Sequence, residues 1–348
     1  MAYDNEAIVR HAYHTAEGSV LDVAGFVGSF AEDGVINMGH SGRRDHRQSG
    51  GHAGEVVENA DNVGGQESYR GEQLGEIVLS VVKQFPDVHQ KPTTIGGVGA
   101  LEVTIQGTDA ANVILYFHGG VYVISSAATS VPLVGDLARR TGAKAVTVDY
   151  RLAPEHPYPA AVEDAQAAYE GLLGQGIDPG QIALAGESAG GGLAVATLLA
   201  LRDAGTPLPS CAFLMSPYAD LTLSGDTILD KRAVDPILTP DGLRLRVPDY
   251  VAAADAADPH ISPVFGDFSR LPPLLIQVGS HEILLSDALT LAARAATADV
   301  PITLEVTSGV PHVFQGFAAV LDEGDAALDR ASAFLKTQFV ATQPARAA

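Results

Sequence analysis

The sequence predicts an α/β fold with a mostly parallel sheet and helices on both faces, and three observations carry that prediction. From residue 100 onward, short β-rich runs at 101–105, 113–117, 145–149, 182–185, 212–215, 274–278 and 302–306 alternate with helical patterns, the signature of such a sheet. The pentapeptide Gly186-Glu187-Ser188-Ala189-Gly190 lies between the apolar run 182–185 and the helix-like run 191–204, so a tight turn joins a strand to a helix there. Gly119, Ser188, Glu282 and His312 each follow a predicted strand at its carboxyl end, the edge where open sheets of this kind bind ligands.

Taken in chain order, residues 1–90 read as a separate N-terminal module and 91–348 as the α/β domain. Within the module, 4–17 reads as a helix with Asp4 near its N-cap, and Ser19-Val20-Leu21-Asp22 as a capping box for a second helix ending near Ala31. The glycine-rich, charged stretch 39–66 reads as a loop, and 70–85 as a third helix carrying Leu74, Ile77, Val78, Val81 and Val82 at helical spacing. His40, Asp45, His46 and His52 are too irregularly spaced to define a metal site. The interval 219–263 is longer than one crossover needs and contains Asp235-Pro236, Thr239-Pro240 and Asp258-Pro259, with an alanine-rich helical stretch at 250–257. It is expected to be a cap over the site, the alternative being a surface excursion without function.

Composition narrows the classes. A chain of 348 residues with 46% hydrophobic content holds a sizeable core. Its 42 acidic against 21 basic residues give a net charge of −21, spread along the chain, which repels nucleic acid and anionic membranes. The start lacks a basic, apolar leader and no stretch reaches the length of a membrane span, so the cytoplasm is the expected place. Cys211 is the only cysteine and sits in an apolar run, which fits an inert core thiol.

The chemistry follows from four positions. A serine hydroxyl needs a base to become a nucleophile, and a sharp strand-to-helix turn holds Ser188 clear of the sheet where one can reach it. His312, on the loop after the last predicted strand, is the expected base. Glu282, three residues past Gly279, is the expected acid that orients it, with Asp287 as the competitor; Asp287 falls inside a predicted helix 283–296, where it reads as a solvated charge. The strand 113–117 runs into Gly119-Gly120-Val121, a loop suited to an oxyanion hole, with the N–H groups of Gly120, Val121 and Ala189 as donors. The order serine, acid, histidine is the one this fold requires.

Three blocks, His118-Gly119-Gly120-Val121-Tyr122, the run from Asp149-Tyr150-Arg151-Leu152-Ala153-Pro154 to Glu155-His156-Pro157-Tyr158-Pro159-Ala160, and Gly186-Glu187-Ser188-Ala189-Gly190-Gly191, resemble the bacterial hormone-sensitive-lipase-like esterases of the α/β-hydrolase fold over residues 95–340. The resemblance implies a carboxylic-ester hydrolase with no cofactor, while a cap made partly from the N-terminal module and partly from 219–263 is expected to bound the pocket and so to favour short or medium acyl chains, or a lactone, as the small-molecule substrate. The chain departs from the pattern in having Val121 where a third glycine is usual, Glu187 for the aspartate before the nucleophile and Glu282 for the triad aspartate. Rival readings are a non-catalytic small-molecule receptor and a peptidase. The N-terminal segment resembles part of a polyketide-cyclase-like domain of the nuclear-transport-factor superfamily, through Ala16-Glu17-Gly18, Phe30-Ala31-Glu32-Asp33-Gly34-Val35, Tyr69-Arg70-Gly71-Glu72 and Phe85-Pro86-Asp87-Val88-His89. It is expected to serve as a helical cap or a homodimer contact.

Overall fold

The computed structural model describes residues 85–341. Eight strands form one sheet in the order β1-β2-β4-β3-β5-β6-β7-β8: β1 Val88–Ile95, β2 Val98–Ile105, β3 Val113–Phe117, β4 Lys144–Val148, β5 Ile182–Glu187, β6 Cys211–Met215, β7 Leu274–Gly279 and β8 Ile302–Thr307. The first two strands run antiparallel, and β4, β3, β5, β6, β7 and β8 are parallel to one another.

The central strands are continuous apolar runs because both faces of the sheet are covered. In β3, Val113, Leu115 and Phe117 enter the core on one face while Ile114 and Tyr116 enter the core on the other, as the alternation of side chains along a strand requires. Helices α1 (Val131–Thr141) and α7 (Asp322–Ala341) cover the second face through Val134, Leu137, Leu328, Leu335 and Phe339. Helices α2 (Ala160–Gly174), α3 (Ala189–Asp203) and α6 (Leu285–Thr297) cover the first through Tyr169, Leu193, Leu198 and Leu291. No helix among the described residues is long and apolar enough to cross a membrane.

Two elements differ from expectation. β1 was not predicted: its residues are mostly exposed and include Pro92, so it carries no apolar alternation, and proline is tolerated because the strand lies at the sheet edge. The turn Gly96-Gly97, both at positive φ, joins β1 to β2 as a two-residue hairpin. Val88 therefore starts the sheet inside the segment assigned to the N-terminal module, and the block Phe85-Pro86-Asp87-Val88-His89 leads into this sheet. The other blocks behind the polyketide-cyclase-like resemblance, the helices expected before residue 84, and His40, Asp45, His46 and His52 lie outside the described residues.

The interval 219–263 contains α4 (Thr227–Asp230) and α5 (Pro240–Val251). The helix expected at 250–257 is displaced toward the N-terminus. Thr239-Pro240 is a helix start, with the Thr239 hydroxyl accepting from Gly242 N–H and proline at the first turn, and Ala252 at φ 50° ends the helix. The interval is bonded into the domain at several points. Asp235 accepts from Ile283 N–H at 2.7 Å, Thr227 pairs with Ser286 at 2.7 Å, and Tyr250 stacks on Tyr122 with ring centroids 3.9 Å apart.

Candidate active site

The register aligns the strand ends: Phe117 pairs with Gly186, Glu187 with Met215, Met215 with Gln277, and Gly279 with Thr307. Gly119, Ser188, Glu282 and His312 therefore leave the sheet along one edge.

Ser188 follows directly on β5 and opens α3, at φ 52° and ψ −121°. A non-glycine residue in that region is strained, and such outliers cluster at functional sites. The strain persists because the turn is packed too tightly to relax. A Cβ on Gly190 would lie 2.0 Å from the Phe117 carbonyl, and one on Gly186 would lie 2.3 Å from the Gly190 carbonyl, so only glycine fits at both ends of the elbow.

His312 Nδ1 lies 2.8 Å from Glu282 Oε2, with both side chains buried. A carboxylate only accepts, so the ring proton sits on Nδ1 and Nε2 keeps its lone pair. Glu282 is fully buried; its other oxygen accepts from the Ser216 hydroxyl at 2.8 Å and from Gly279 N–H. Burial pushes the Glu282 carboxyl up, against the opposing pull of His312, Gly279 N–H and Ser216. Val313 N–H donates to Ser216 Oγ at 3.0 Å, and Ser188 N–H donates to the Met215 carbonyl at 2.9 Å. Ser188 and the histidine loop are thus both bonded to the Met215-Ser216 dipeptide at the end of β6. Among the described residues no hydrogen bond joins Ser188 Oγ to the ring, and bonds of this kind are often long when no substrate is bound.

Asp287 is not the solvated charge expected from the sequence. It is the third residue of α6, nearly fully buried, and its Oδ2 accepts from Ala219 N–H at 2.8 Å and Asp220 N–H at 2.9 Å. It anchors the start of the insertion and has no bond to His312. Burial, reinforced by Asp220, raises its carboxyl to about 8. A carboxyl raised by folding keeps a proton that the unfolded chain releases from about pH 4 upward, so its contribution to stability is lost as pH rises toward about 8. Asp287→Asn keeps an acceptor for both amides and removes the ionisation. Its melting temperature is expected to fall less than that of the wild type between about pH 6 and about pH 9 in calorimetric scans, and an unchanged slope would contradict this.

The oxyanion loop, expected over Gly119-Gly120-Val121, holds its first residue by a different bond from the other two. Gly119 N–H is engaged by Glu187 Oε1 at 2.9 Å, so this amide is not free to meet a ligand. Its Cα faces Ser188: a Cβ there would lie 3.2 Å from Ser188 Cβ. Among the described residues the N–H groups of Gly120, Val121 and Ala189 have no protein acceptor. Val121 at φ 47° and Tyr122 at φ 66° are both left-handed, an outlier for a β-branched residue. Burial raises the Glu187 carboxyl to about 7, while Gly119 N–H and His312 oppose the shift.

The block Asp149 to Ala160 holds this loop. Tyr150 stacks on His118, centroids 4.2 Å apart, and its hydroxyl donates to the His118 carbonyl at 2.8 Å. Ala153 N–H donates to the Tyr122 carbonyl, and Asp149 accepts from Ala127 N–H at 2.6 Å. His118 is itself fully buried, with Nδ1 2.7 Å from the Gly119 carbonyl, and burial lowers its pKa to about 4, so it stays neutral. Cys211 is buried and its thiol is pushed up to about 12. No group of three or more His, Cys, Asp or Glu among the described residues is placed to hold a metal ion. The sequence reading missed Ser216, although it stands at the end of β6, where the strand-end rule that marks the other four positions also reaches it.

A strained serine at a strand-to-helix elbow, a buried carboxylate–imidazole pair and amides without a protein acceptor beyond β3 thus lie along one edge of a doubly covered parallel sheet. The profile of the alpha/beta hydrolase fold family matches residues 114–316. An acetyl-hydrolase of Streptomyces hygroscopicus is 47% identical over 224 residues, 64% of this chain and 75% of the relative. An esterase of Acinetobacter venetianus is 39% identical over 246 residues, 70% of this chain and 81% of the relative. The crystal structure of an esterase from the bacterial hormone-sensitive lipase family superposes with a TM-score of 0.74 at 41% identity, covering 77% of this chain and 90% of that one. The chain belongs to the alpha/beta hydrolase fold family, within its hormone-sensitive-lipase-like branch, and is a carboxylic-ester hydrolase. The matched family region does not reach residues 1–90.

Proposed function

We propose that the protein hydrolyses short- to medium-chain carboxylic esters through an acyl-serine intermediate, with Ser188 as nucleophile, His312 as general base and Glu282 as the acid that orients it. The observation that carries this reading is the buried 2.8 Å contact between His312 and Glu282 on the sheet edge that bears the strained Ser188. His312 Nε2 takes the hydroxyl proton as Ser188 Oγ attacks the ester carbonyl. The carbonyl oxygen becomes an oxyanion, stabilised by the N–H groups of Gly120, Val121 and Ala189. Collapse breaks the bond to the alkoxy oxygen, which leaves as the alcohol with the proton from His312. Water then attacks the acyl-serine with the same base, and the acid departs as Ser188 regains its proton. No cofactor enters this cycle.

A bounded acyl site favours short acids. Val121 puts a partly exposed branched side chain in the oxyanion loop, and the insertion is fixed to the domain through Asp235 and Tyr250. The name of the Streptomyces relative, an acetyl-hydrolase, agrees with a small acyl group. Across p-nitrophenyl esters from acetate to palmitate, kcat/KM is expected to peak at the short end, and a maximum at palmitate would overturn the chain-length reading. A lactone panel run beside it tests cyclic esters, which the same triad would open. Nucleic acid and membrane are not partners in this reading.

A further inference from the structure

We infer that Ser216 is a positioning residue of the reaction, fixing the Glu282 carboxylate and the His312 loop against one another. The inference rests on the triad proposed above and adds a member to it that does not touch substrate.

Ser216 is fully buried at the end of β6, with φ 45°. Its N–H donates to the Gln277 carbonyl at 2.8 Å, extending the β6–β7 ladder past the last paired residue. That ladder bond holds a non-glycine residue in the left-handed region, a strain that needs a reason. The reason is the direction of its hydroxyl. Val313 N–H can only donate, so Ser216 Oγ accepts there at 3.0 Å, and the hydroxyl proton goes to Glu282 Oε1 at 2.8 Å. Gly279 N–H also donates to Oε1.

One carboxylate oxygen is thereby saturated by two donors, and the other is presented to His312 Nδ1. The carboxylate cannot swivel without breaking both bonds on Oε1. The loop that carries His312 is tied, one residue further on, to the same hydroxyl. A single side chain therefore sets the distance between the acid and the base, which must be held to a fraction of an ångström for efficient proton transfer.

Ser216→Ala removes the donor to Glu282 and the acceptor for Val313 N–H. The charged groups that face His312 are Glu282 and, from β5, Glu187. Loss of a hydrogen bond to an ionised partner is expected to lower kcat for p-nitrophenyl acetate about 10- to 100-fold, with KM changed less than about twofold. A carboxylate short of one donor binds a proton more tightly and holds the imidazolium more strongly, so the acid limb of the kcat/KM profile should move to higher pH. A residue that only filled space would lower the active fraction without moving that limb. Ser216→Cys, close in size and a weak donor, should fall between wild type and alanine, and it decides the matter if the alanine variant fails to fold. A folded Ser216→Ala or Ser216→Cys enzyme with wild-type kcat and an unmoved acid limb would overturn the inference. Ser188→Ala is measured in parallel. Turnover near the wild-type level in that variant would overturn the serine mechanism itself, whereas its loss of about 10⁶ in kcat beside an unaffected Ser216→Ala would overturn only the role of Ser216.

Discussion

Ser188→Ala is expected to reduce kcat for p-nitrophenyl acetate by about 10⁶, to the level that binding and the oxyanion donors alone sustain, with the melting temperature nearly unchanged. The magnitude follows from the covalent route: without the hydroxyl no acyl-enzyme forms, and water must attack an ester held in a site built for a different nucleophile. Alanine at 188 would have to adopt φ 52°, as serine does, so the elbow should fold as before. His312→Ala should fall to a similar level, because the two residues act as one unit and their losses do not add. Labelling by a fluorophosphonate gives a second readout, expected for the wild type and absent from Ser188→Ala. A variant at 188 that kept its turnover or its labelling would remove the mechanism and return the receptor reading to consideration.

Glu282→Gln is expected to lower kcat by about 10⁴ while leaving KM near its wild-type value. The amide fits the same space but offers an oxygen or an NH₂ group where an ionised oxygen now meets His312 Nδ1 at 2.8 Å. With the NH₂ group toward the ring, Nδ1 must accept and Nε2 must carry the proton, which disables the base. With the oxygen toward the ring, the NH₂ group faces Gly279 N–H, where donor meets donor, and the Ser216 hydroxyl must turn its proton away to accept. Asp287→Asn should leave kcat near wild type, since Asp287 is engaged with the amides of Ala219 and Asp220. If the two variants exchanged phenotypes, the triad acid would be Asp287 and the geometry around Glu282 would need another purpose.

Much of this arrangement was legible in the residues. The strands predicted at 113–117 and 274–278 match β3 and β7 to within a residue, because strands buried on both faces are short apolar runs with clear ends. The elbow was legible because its two glycines are the only residues the turn admits. β1 was not, since an edge strand needs no apolar face and VHQKPTTI shows none. Asp287 was misjudged because burial of a charged side chain depends on what packs over it, here the segment at Ala219 and Asp220 from far along the chain. The partner of Gly119 N–H was not legible for a similar reason: the carboxylate that engages it belongs to Glu187, 68 residues away.

The sequence by itself determined the class of fold, the elbow that carries Ser188 and the strand ends from which Glu282 and His312 depart, because periodicity, glycine at an obligatory turn and side-chain chemistry are local properties. The tertiary structure decided which acidic residue meets His312, which amides remain free and what Ser216 does. Those are matters of hydrogen-bond direction between strand ends distant in the chain, and they exist only once the parallel ladder has brought the ends to one edge.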